Sequence, residues 1–105
     1  MASAGAAYAL AALWAVPAWA EPLSEPEKDR LSHLVTQDCG SCHGLRLTGG
    51  LGGPITAQAL DGHTVEGLTS LILDGIPGTA MPPWRPLLSE AEAAWIAAYL
   101  LEVSE

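Results

Sequence analysis

Apolar positions recur at helical spacing in three stretches of the chain, and each stretch has its own start signal. Ser24-Glu25-Pro26-Glu27 forms a capping box with proline in the first turn, and Leu31, Leu34 and Val35 follow on one face. This pattern predicts a helix that runs toward Asp38 and delivers the next few residues at its end. A second helix is expected from Thr64 to about Asp74, with Leu68, Leu71 and Ile72 inward and Gly75 as the stop. The third opens at Ser89, where S-E-A-E makes another capping box and Leu88 with Ala93 can form a hydrophobic staple. It carries Trp95, Ile96, Tyr99 and Leu100 almost to the terminus. No alternating run is long enough for a sheet and no repeat is visible, so the expected class is all-α.

Two loops between these helices are richer in glycine and proline than packing alone requires: G-G-L-G-G-P over 49–54 and I-P-G-T-A-M-P-P-W-R-P over 76–86. A glycine-rich loop cradles phosphate when a strand precedes it and a helix follows at once. Neither flanks Gly49, so that use is set aside.

The apolar start of the chain is a different kind of segment. MASAGAAYALAALWAVPAWA carries no charged side chain and ends in Ala18-Trp19-Ala20, the layout of an export signal with an A-x-A cleavage site. No Lys or Arg precedes the apolar run, which puts Met1 in doubt as the true start. An uncleaved anchor is the rival, but Pro17 and the small residues at the cut favour cleavage. Residues 1–20 are therefore expected to be a signal and residues 21–105 one small domain, exported to the periplasm with no lasting membrane attachment. A domain this short needs a staple beyond its own core.

Charge then narrows the partners. The chain holds 12 acidic against 4 basic side chains, a formal net charge of −8. Nucleic acid and anionic membranes are poor partners for such a surface, whereas a basic protein face would be a good one.

The chemistry is concentrated in D-C-G-S-C-H-G over 38–44, which holds both cysteines of the chain. A disulfide between residues three apart would constrain almost nothing. On a helical turn Cys39, Cys42 and His43 can all face one flat object. Two thiols can add to the two vinyl groups of haem while the imidazole reaches the iron; C-x-x-C-H is the signature of that attachment. A zinc site wants four ligands and no second Cys pair exists; His33 and His63 could be recruited, but nothing in their spacing suggests it. A thioredoxin-like pair would need a βαβ setting, which is lacking. One covalent haem c would supply the staple, and the fold expected is three main helices wrapped around it.

The second axial ligand decides what such a haem can do. Met81 is the one methionine beyond Met1, and it stands between Gly78-Thr79-Ala80 and Pro82-Pro83, prolines that fix φ and stiffen the loop. That placement points to Met81 as the ligand opposite His43, with His63 as its main rival and His33 as a weaker one. A His/Met pair leaves no open position and raises the reduction potential, which points to single-electron transfer rather than to an enzyme.

From about Ser24 onward the chain resembles class I monohaem cytochromes c. C-G-S-C-H, Gly53-Pro54, G-T-A-M-P-P and a last helix with Tyr99-Leu100 follow that family's order. The longer run D-C-G-S-C-H-G-L, L-T-G-G-L-G and L-I-L-D-G-I-P-G-T-A-M-P-P-W is similar to NirC-type cytochromes of dissimilatory nitrite reductase clusters, and to the haem c domain of that reductase. The likeness implies a monomer that passes electrons in the periplasm to the nitrite reductase carrying haem c and a d-type haem. A role in maturing the d-type haem, or service to another redox enzyme, is the alternative. It also implies that Pro54 offers its carbonyl to the second nitrogen of His43 and that the terminal helices cross beside the haem. Trp84 and Arg46 are candidate contacts for the haem propionates, whereas Trp95 and Tyr99 are expected in the core.

Overall fold

The computed structural model describes residues 23–102. The expected export signal lies outside the described residues. Among the described residues there is no strand, and no helix is long and apolar enough to cross a membrane.

Helix α1 spans Glu25–Leu34. Its capping box closes in both directions: Ser24 Oγ accepts from the Glu27 amide, and the Glu27 carboxylate accepts from the Ser24 amide at 3.1 Å. The helical path then widens into a π turn over Val35–Cys39 before the short α2, Gly40–His43. The sequence pattern predicts one regular helix here. The buried positions explain the difference: Leu31 and Val35 are four apart, but the next is Gly40, five further on. One additional residue per turn is what a π turn supplies, and such turns recur at functional sites. Here it sits directly before the Cys39–His43 segment.

Helix α3 spans Val65–Asp74, opened by Thr64, whose hydroxyl accepts from the Gly67 amide, and closed at Gly75. Helix α4 spans Glu90–Glu102, and its capping box is also reciprocal, between Ser89 and Glu92. These limits agree with the predicted ones, because the capping residues encode them.

α4 packs against both α1 and α3, and the Arg30–Glu92 ion pair joins α1 to α4. The core between them contains Leu31, Val35, Leu68, Ile72, Ala93, Ile96, Ala97 and Leu100. Leu88 and Ala93 are both buried there, as the predicted staple requires. Trp95 and Tyr99 stack on one face of α4 with ring centroids 5.0 Å apart and lie partly buried against the core. Residues of both glycine–proline loops, Gly52 and Gly53 from one and Thr79 and Met81 from the other, line one cavity together with Leu68, Ile72 and Ile96 of this core.

Candidate haem site

Each loop is fixed by the end of a helix. The last carbonyls of a helix have no partner within it. At the end of α2, the carbonyls of Cys42 and His43 accept from Gly52 at 2.7 Å and Gly49 at 2.8 Å. At the end of α3, the carbonyls of Leu71, Ile72 and Leu73 accept from Gly75, Trp84 and Arg85. The glycine loop is thereby laid on the histidine, and the methionine loop on α3.

The glycines permit close approach. A Cβ on Gly52 would stand 2.7 Å from Cε1 and 2.8 Å from Nδ1 of His43, and one on Gly50 would stand 2.7 Å from the Cys42 carbonyl. Leu47, at the base of the same loop, adopts a left-handed φ of 62°. That conformation costs a non-glycine residue about 1–2 kcal/mol. It is held by a buried side chain, by the Leu47 N–H donating to Gly44, and by the Leu47 carbonyl accepting from Ile55.

His43 Nδ1 donates to a backbone carbonyl at 2.7 Å. A carbonyl only accepts, so Nδ1 carries the proton and Nε2 keeps its lone pair for a metal. The acceptor corrects the expectation: it is the oxygen of Gly53, not of Pro54. The two residues share one peptide group, and that group's oxygen belongs to Gly53. Pro54 itself is exposed and does not line the site.

Cys39, Cys42, His43 and Met81 all line one cavity of about 630 Å³, whose other walls are mainly apolar, from Leu34, Leu68, Ile72 and Ile96 among others. That volume falls within the range of about 300–1,000 Å³ for cofactor clefts. Burial, with the Asp38 carboxylate beside it, pushes the Cys39 thiol up to about 11, while Cys42 stands exposed at the rim. Met81 is set by its backbone: its amide donates to Thr79 Oγ1 at 3.3 Å and its carbonyl accepts from Ile76 at 3.2 Å. Among the described residues no three His, Cys, Asp or Glu side chains cluster to hold a bare metal ion, which leaves the zinc alternative without a ligand set. Two thiols, an imidazole with a free Nε2 and a thioether around an apolar slot suit a flat iron macrocycle. The residues fit haem.

The remaining candidates separate. Trp84 lines the cavity. Arg46 is exposed and outside its lining, because the turn that carries it, closed by the Leu47 amide on the Gly44 carbonyl, leaves its side chain to solvent. His63 also lines the cavity and is exposed, whereas His33 does not line it. Missed in the sequence was the contact of Gly52 with the His43 ring; the four glycines of G-G-L-G-G, just beyond C-x-x-C-H, were its only trace.

A family model described as cytochrome c oxidase, cbb3-type, subunit III matches residues 26–100. The chain belongs to the class I cytochromes c. This cytochrome is 63% identical over 93 residues to "Cytochrome c55X" of Paracoccus denitrificans, covering 89% of this chain and 90% of that one. A solved structure titled "c-type cytochrome NirC" is similar at 50% identity with a TM-score of 0.74, covering 76% of this cytochrome and 94% of that chain. Part of another, titled "Dihydro-heme d1 dehydrogenase NirN in complex with DHE", is similar at 30% identity with a TM-score of 0.64, covering 69% of this chain and 16% of that one.

Proposed function

We propose that this cytochrome carries single electrons in the periplasm on one covalent haem c, in the service of dissimilatory nitrite reduction. The observation that carries the reading is that Cys39, Cys42, His43 and Met81 line one apolar cavity while His43 keeps Nε2 free. There the thiols of Cys39 and Cys42 would hold the haem through thioether bonds to its vinyl groups, and His43 and Met81 would supply the imidazole nitrogen and the thioether sulfur for its iron. A haem iron between imidazole and thioether supplies one-electron chemistry at a raised potential.

The chain's own residues do the rest. Gly53 holds the proton of His43 at Nδ1 and so fixes the tautomer and ring direction. Thr79 and Ile76 hold the Met81 backbone. The apolar walls limit water at the site, and with His43 and Met81 both committed to the iron no position would remain for a substrate, which favours a carrier over an enzyme. The N-terminal signal exports it and is removed, and it works as a monomer. A net charge of −8 favours salt-sensitive encounters with a basic partner face.

The partner inferred from the likeness to NirC is the nitrite reductase that contains haem c and a d-type haem. The likeness to part of a dihydro-haem d1 dehydrogenase favours a second reading, an accessory step in maturing the d-type haem. Gene deletion separates them. Reductase that retains its d-type haem but receives no electrons supports delivery; reductase lacking that haem supports maturation.

A further inference from the structure

If the cavity holds haem, the premise on which this inference rests, the two propionates need partners, and the chain offers few. With Cys39 and Cys42 on the vinyl carbons, the propionates, on the opposite edge of the macrocycle, would lie away from residues 38–43. Among the described residues no Lys or Arg lines the cavity. Arg46 lies outside it, and Arg85 is engaged with Asp74 at 2.7 Å.

Away from residues 38–43, three lining side chains carry an N–H or O–H donor: Thr79, Trp84 and His63. The Thr79 hydroxyl already donates to the Ile76 carbonyl at 2.7 Å. Trp84 contributes one neutral indole donor. The His63 ring takes no hydrogen-bond partner among the described residues, and it alone of the three can carry positive charge.

Its exposure places His63 at the mouth of the cavity, where carboxylates meet water, and not at the apolar centre that an iron ligand must reach. Its backbone is pinned on both sides. The His63 amide donates to Leu60 at 2.9 Å, Gly62 turns the chain with φ +91°, and Thr64 caps α3. The other titratable groups of the cavity, Asp38, Cys39, Cys42 and His43, lie at the thioether end, while exposed Asp61 and Glu66 flank His63 along the chain.

We propose that His63 is the principal partner of the haem propionates, donating a hydrogen bond to a carboxylate at the cavity mouth. By offsetting that negative charge it favours the reduced protein and raises the potential. Charge-assisted bonds of this kind are about twice as strong as neutral ones.

The test uses the holoprotein from a host that matures c-type cytochromes, as parent, His63→Ala and His63→Arg. Two quantities are read: the reduction potential, and nuclear Overhauser contacts between the His63 ring protons and the propionate methylene protons in the ferrous parent. The expected result is a direct contact in the parent, an equilibrium with a reference couple displaced several-fold toward oxidised protein in His63→Ala, and recovery in His63→Arg. No contact, or equal potentials in all three, overturns the proposal, as does a His63 ring signal shifted as an iron ligand's would be. A parent lacking the far-red band of sulfur bound to ferric haem would instead sink the His43/Met81 reading, and the contact would still decide His63.

Discussion

Gly52 lies against the imidazole of His43 so closely that a Cβ there would come within 2.8 Å of Nδ1, the atom that donates to Gly53. The ring cannot give way without losing that bond. Gly52→Ala is therefore expected to turn the imidazole, cost about 0.5–1.5 kcal/mol for the hydrogen bond alone, and lower the melting point of the holoprotein. A melting point and Soret dichroism for Gly52→Ala equal to those of the parent would disprove this reading of the glycine loop.

Gly75 plays the matching part for the methionine loop. Its φ is +70°, and a Cβ would stand 2.7 Å from the Met81 carbonyl and 2.8 Å from Pro82 and Pro83 backbone atoms. Gly75→Ala should push the loop off α3 and loosen Met81. Carbon monoxide uptake by the ferrous protein measures this: the parent should resist it and the variant should bind.

The α1 capping box makes a prediction about acid. The Ser24 amide and then its hydroxyl, both donating to the carboxylate, hold Glu27 below the ordinary carboxylate value. A lowered folded value means that this contribution is present above the unfolded value and lost as pH falls through the folded one. In Ser24→Ala the Glu27 carboxyl should titrate closer to the ordinary value by NMR. Loss of the cap itself costs about 1 kcal/mol, roughly 4–8 °C in Tm for a domain of this size.

Legibility in the sequence depended on how far apart in the chain the interacting residues stand. Helix starts at Ser24, Thr64 and Ser89 were readable because the capping residue and its return partner are three apart. The Cys39, Cys42 and His43 constellation was readable for the same reason, since one helical turn sets its geometry. The π turn was not, because its signature is the spacing from Val35 to Gly40, and a buried glycine adds nothing to an apolar pattern. Which oxygen meets Nδ1 depends on how the glycine loop folds back over α2, and that is set by Gly49 and Gly52 seeking the free carbonyls of His43 and Cys42. Arg46 is close to the site in sequence but lies outside the cavity lining.

The α1–α4 contact should bear much of the stability. Leu31 is fully buried at 0% exposure, with Ala93 and Ile96 in the same cluster. Leu31→Ala should cost about 2–5 kcal/mol, measured by denaturant unfolding of the holoprotein. A loss below about 1 kcal/mol would mean the helices can close over the gap.

His43 and Met81 line the same cavity, and the central proposal is that both donate to one haem iron in it. The visible and near-infrared spectrum of the oxidised holoprotein, recorded beside Met81→Ala, tests it most directly. The account predicts a weak far-red band, the mark of sulfur on ferric haem, present in the parent and gone in the variant. A parent without that band, or a variant that keeps it, would contradict the assignment of Met81 and the electron-carrier reading built on it.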